Sequence, residues 1–122
     1  MTVASTITVK SAGSDREIKM SYGLLTVLAS HVGDPDRIPF IPMDHTLRDA
    51  VMVEMLAVRE KGRPVEPLTA ADIDIEMDDA ENLIRWAQEH LIGFFLRSAK
   101  ELKSQAERIT TALAPSSSGT AS

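Results

Sequence analysis

The chain has 122 residues, 43% of them apolar and 25% charged, a composition that fits one folded domain burying roughly two thirds of its unfolded surface and argues against wholesale disorder or a fibrous repeat. Thirteen Lys and Arg against 18 Asp and Glu leave a net charge of −5, which speaks against binding nucleic acid by counterion release. With no cysteine, disulfides, thiolate metal sites and cysteine nucleophiles are excluded.

Met1 to Gly13 has neither a basic stretch nor an apolar one, so no secretory signal is read there, and the expectation is a soluble chain of the cytoplasm. The densest apolar run, Leu91 to Leu96 with Gly93 inside it, falls far short of the roughly 20 residues that a membrane-spanning helix needs. Ile7 and Val9 before Ser11-Ala12-Gly13-Ser14, with Ile18 and Met20 after, alternate as the strands of a β-hairpin do. Ser21 is placed to cap a short helix whose Leu24, Leu25, Leu28 and Val32 share a face, and Gly33 and Asp34-Pro35 should stop it. Pro39 and Pro42 around Phe40 and Ile41 forbid a central strand and predict an extended apolar loop with Phe40 as its anchor.

Thr46 and Asp49 approximate a capping box for a second helix carrying Leu47, Ala50, Val51, Met55 and Val58 on one face and ending near Lys61-Gly62. Arg63 to Pro67 reads as a linker. In the following stretch Ile73, Ile75 and Met77 alternate with Asp72, Asp74 and Glu76, as in a short edge strand. Asp78 and Asp79 then open a long third helix reaching about Leu113, where carboxylates in the first turn complement the helix dipole. Pro115 should end it, leaving Pro115 to Ser122 as an unstructured, flexible tail of Pro, Ser, Gly, Thr and Ala. The predicted architecture is α+β and mainly α: one compact domain over 1–114, made of an N-terminal hairpin and three helices, and a tail over 115–122.

Little in the chain announces catalysis. His31, His45 and His90 lie in separate elements, and none has a second His or Glu at metal-ligand spacing. His90 therefore reads as a partly buried histidine with one nitrogen satisfied, and adjacent Asp44 and His45 would not face each other on a helix. Asp72, Asp74 and Glu76 imitate the opening of a calcium loop, but Met77 stands where the sharp turn needs Gly, and Leu83 where a bidentate Glu is needed. Ser21-Tyr22-Gly23 lacks the nucleophile-elbow pattern and no glycine-rich phosphate loop occurs, so neither an enzyme nor a cofactor is expected.

Charge and apolar surface carry more. Seven acidic residues and no basic one lie between Glu66 and Glu81, whereas Arg97, Lys100, Lys103 and Arg108 gather later in the same predicted helix. Dipole complementation explains both groups, and electrostatic docking remains open beside it. On the third helix Leu83, Ile84, Ala87, Leu91, Phe94 and Phe95 share a core-facing arc, while Ile92 and Leu96 fall outside it. An apolar excess of that kind is either sandwiched in a core or offered to a partner, so Trp86, Ile92, Phe95 and Leu96 form the candidate partner-binding or self-association patch.

The string Ile18-Lys19-Met20-Ser21-Tyr22-Gly23-Leu24-Leu25, with Val32-Gly33-Asp34 and Leu47-Arg48-Asp49-Ala50-Val51, resembles the tail assembly chaperones of long-tailed, siphovirus-type bacteriophages. Asp72-Ile73-Asp74-Ile75, Ala80-Glu81, Trp86-Ala87, Glu89-His90 and Phe94-Phe95-Leu96 extend the resemblance, which covers Ile18 to Leu96 as spacing and hydrophobic pattern. It implies a non-enzymatic protein of the infected bacterial cytoplasm, absent from the mature virion, that keeps the tape measure protein soluble and helps recruit tail tube subunits. It also implies no catalytic residues, and in many such phages a frameshifted longer form. Neither a nucleic acid nor a membrane is an expected partner, and self-association is compatible with the reading. The alternatives are a structural virion part, such as a head-tail connector or tail completion protein, and a small acidic inhibitor whose active face would be Glu66 to Glu81.

Overall fold

The computed structural model describes the backbone of residues 3–60, 63–64 and 68–121, with side chains over 3–58 and 68–112. An N-terminal antiparallel hairpin precedes three α-helices, of which the last is by far the longest. The chain divides into two compact units, Met1–Ile92 and Gly93–Ser122, where the sequence reading drew one domain over 1–114.

In the first unit, β1 (Thr6–Ser11) pairs with β2 (Ser14–Lys19) so that Ile7 faces Ile18 and Val9 faces Arg16. Two residues make the turn, Ala12 at φ 52° and Gly13 at φ 82°, and a two-residue connection with both φ positive has the twist that joins right-handed strands without splaying them. The other edge of β1 is covered by the acidic stretch. Ala12 N–H donates to the Asp74 carbonyl at 2.9 Å, Ser11 bridges to Ile75, and Lys10 N–H donates to Asp79 Oδ2 at 3.0 Å. The edge strand expected around Ile73 to Met77 is thus reduced to a single bridge. Before it, Ala70–Asp72 forms a 3₁₀ turn, and beyond it Met77 already begins a helix.

Helix α1 (Tyr22–Val32) starts where Ser21 Oγ accepts from Leu24 N–H at 3.1 Å. It stops at Gly33, whose φ of 76° suits glycine and whose N–H closes on the Ala29 carbonyl at 2.8 Å. The proline-rich loop that follows is a 3₁₀ turn, Pro35–Phe40, rather than an extended segment, because proline's fixed φ suits its first position and Asp34 Oδ1 caps it through Asp36 N–H at 2.9 Å. That change of path reverses the anchor. Ile38 and Ile41 are buried and Phe40 is 59% exposed.

Helix α2 (His45–Leu56) is capped by Asp44, whose Oδ1 accepts from Leu47 N–H at 3.2 Å, and not by the expected Thr46. It also ends earlier than Lys61-Gly62. The Arg16 guanidinium reaches across from β2 and donates to the Leu56 carbonyl and, at 3.2 Å, to that of Ala57, satisfying end carbonyls that a further helical turn would otherwise use. Val58, placed on the helix face by its spacing, is consequently outside the helix and exposed. Two-residue strands β3 (Arg59–Glu60) and β4 (Arg63–Pro64) pair next, and the linker read over Arg63 to Pro67 falls largely outside the described residues.

Helix α3 (Met77–Ala121) contributes Leu83, Ile84, Trp86, Ala87 and Leu91 to the core of the first unit. They join Val9 and Ile18 of the hairpin, Leu24, Leu25, Leu28 and Val32 of α1, and Leu47, Val51, Met52, Met55 and Leu56 of α2. These positions recur at steps of three and four along each helix, so each presents one apolar stripe to a shared interior. The second unit is the remainder of α3, and the tail expected over Pro115 to Ser122 falls beyond 112, outside the described side chains.

Candidate functional site

The three histidines are held apart. His31 Nε2 lies 3.6 Å from Glu54, His45 Nδ1 lies 2.8 Å from Arg48, and His90 Nε2 lies 2.7 Å from the Ala4 carbonyl. Among the described residues no three His, Asp or Glu side chains are grouped to hold a metal ion. The acidic run engages the hairpin edge through the Asp74 carbonyl and Asp79, while Thr69 Oγ1 donates to Asp72 at 2.8 Å.

Among the described residues of the first unit, a groove of about 600 Å³ lies between α2, the stretch 70–77 and the first turns of α3. Its apolar lining comes from Met52, Ile73, Ile75, Ala80 and Ile84, with Met77 exposed at its mouth. Arg48, Asp49, Glu81, Arg85 and Gln88 supply the polar lining. Two of these charges already have partners, since Arg48 Nε sits 3.7 Å from Asp49 and its other nitrogen contacts His45. Gln88 is likewise fixed by donating to the Ile38 carbonyl at 2.9 Å. A rim of mixed charge, in which Arg48 and Asp49 offset each other, over an apolar lining recognises shape and apolar area rather than one charged group.

The residues singled out from the sequence part company. Trp86 is 6% exposed, its Nε1–H donates to the Ala4 carbonyl at 2.7 Å, and its ring meets His90 edge-on with centroids 5.0 Å apart. It serves the interior, locking the segment before β1, and is not available as a surface anchor. Ile92, at 47% exposure, stays open to solvent in the first unit. In the second unit Leu96 is 65% exposed and Phe95 is half-buried, packed edge-on against Phe94 with centroids 5.5 Å apart.

No local pattern in the chain marks the groove. Ile73 and Ile75 were visible as an apolar pair, but their alternation with aspartates pointed to a strand, whereas their actual environment is set by Met52 and Ile84 from two helices far away in the chain. The signal for it was an apolar pair between two helices without enough residues to form a strand of its own. The sequence matches no family model, no curated protein and no solved structure.

Proposed function

We propose that this chain is a non-enzymatic tail assembly chaperone of the long-tailed phage type, which binds and solubilises the tape measure protein and helps bring tail tube subunits to it. The observation that carries the reading is the groove lined by Met52, Ile73, Ile75 and Ile84, with an acidic run alongside it. A tape measure protein is long, helical and apolar, and its helices offer anchors at i, i+3, i+4 and i+7 that such a groove accepts. The pattern resemblance over Ile18 to Leu96 adds to this, as does a net charge of −5 that keeps a client-loaded complex soluble. On this reading the protein acts in the cytoplasm of the infected host and is left out of the finished particle.

The test is co-expression with the tape measure protein of the same genome, reading how much of the client is soluble and co-purifies. Rescue of the client in stable complex, with the chain missing from purified virions, supports the chaperone. An insoluble client, together with the chain recovered from virions, assigns it to the particle as a structural part.

A further inference from the structure

The second unit carries a seam of its own. Phe95, Ala99, Leu102, Ala106 and Ile109 are separated by four, three, four and three residues, the alternation that keeps one side of a helix turned toward a partner helix. At 100° per residue they fall within an arc of about 80°. Leu102 and Ile109 are 68% and 59% exposed, Ala99 and Ala106 are exposed, and Phe95 is half-buried. The helix's charges lie off this arc, and Glu101 is engaged by Arg108 at 3.4 Å.

Side-chain size identifies the occupant. Large residues at Phe95, Leu102 and Ile109 alternate with alanines at 99 and 106. A parallel pair of such helices would set alanine on alanine and leucine on leucine, leaving gaps and crowding in alternate layers. Antiparallel pairing of two copies about a two-fold axis between Lys100 and Glu101 sets Phe95 on Ala106 and Ala99 on Leu102, twice over. Each of these four layers then joins a large side chain to a small one, and Ile109 lies beyond them at either end. The borders of the seam agree with this arrangement. Ser98 faces Gln105 along one side, and along the other Lys103 faces Leu96, so no like charges meet and the lysine stem covers an exposed leucine.

We propose that the second unit is a self-association element, in which residues 95–106 of two copies pair as an antiparallel two-helix coiled coil. The paired stretch is about 18 Å long. So short a contact buries less than the roughly 1,200 Å² of a standard stable complex, which makes the pair a reversible, concentration-dependent dimer. The proposal needs no client and stands or falls independently of the chaperone reading.

Sedimentation of the full chain over a wide concentration series tests it. The weight-average mass rises toward twice that of the monomer; a monomeric mass throughout overturns the proposal. Leu102→Asp, at an exposed position that leaves the helical signal intact, returns the protein to monomer, and an unchanged dimer overturns the assigned seam. Ala99→Leu separates the orientations: it crowds Leu102 and weakens the antiparallel dimer, whereas a strengthened dimer overturns antiparallel pairing. Because the chain has no cysteine, Ser98→Cys and Gln105→Cys can be introduced singly. Mixed and oxidised, the two variants give the heterodisulfide in preference to either homodisulfide, and the reverse preference refutes the two-fold register.

Discussion

Trp86 and His90, one turn apart on α3, bring a ring nitrogen each to the same acceptor, the Ala4 carbonyl, at 2.7 Å. A carbonyl oxygen has two lone pairs and only accepts, so each ring nitrogen donates to it, the indole through Nε1–H and His90 through a hydrogen on Nε2. The doubly held residue lies next to Ser5, whose carbonyl receives Met20 N–H at 2.9 Å. One contact on α3 thereby positions the entry to the hairpin and its exit.

Trp86→Phe keeps most of the buried ring and removes the Nε1 donor. The loss expected for one such bond is about 1 kcal/mol. Hydrogen exchange should locate it, with the Met20 amide exchanging faster while those of α2 keep their protection. Unaltered Met20 protection in the variant would mean that the Ala4 contact does not hold the hairpin in place.

Arg16 ends α2 from outside the helix. Replacing it by Met preserves the aliphatic stem but leaves the Leu56 and Ala57 carbonyls without the guanidinium, at a cost of about 1–3 kcal/mol for part-buried acceptors. Arg16→Lys retains the charge without the two-pronged donor and should recover only part of that loss. Chemical denaturation of the three proteins checks the order, which is wild type, then Lys, then Met. Equal midpoints would show that water replaces the guanidinium at no cost.

Ala12 occupies a left-handed conformation at φ 52° that asparagine adopts more readily. Its side chain is exposed, and the N–H that donates to the Asp74 carbonyl is retained in any substitution but proline. Ala12→Asn should therefore stabilise the turn by about 0.5–1 kcal/mol and raise the melting temperature. Gly33→Ala makes the opposite case, forcing a side chain into φ 76°, and should lower it. A drop in melting temperature for Ala12→Asn would count against the turn geometry.

The elements that local chemistry dictates were legible in the sequence. Ser21 and Gly33 delimit α1 through their own cap bonds, and Ala12-Gly13 between alternating strands gives the hairpin. What escaped depends on residues distant in the chain. α2 ends at Leu56, where Arg16, forty residues earlier, takes up its end carbonyls. Trp86 looked like an interface anchor because indole is common in interfaces, but an indole with a buried partner for its nitrogen is equally at home in a core, and Ala4 lies 82 residues away. The groove was invisible for the same reason, since Met52, Ile73 and Ile84 meet only in three dimensions.

The groove reading makes a demand on Met77, which lies at its mouth and is 73% exposed. An aspartate there costs the folded chain little, within about 0.5 kcal/mol for a surface substitution, and adds a carboxylate to the first turn of α3, where the helix dipole favours it. It also places an unpaired charge where an apolar client side chain would be seated. Met77→Asp should keep the wild-type melting temperature and lose most of the co-purified tape measure protein. Leu96→Asp, outside the groove, should leave client capture unchanged. Undiminished client recovery by Met77→Asp, with Leu96→Asp losing it, would move the client site from the groove to the exposed face of the second unit.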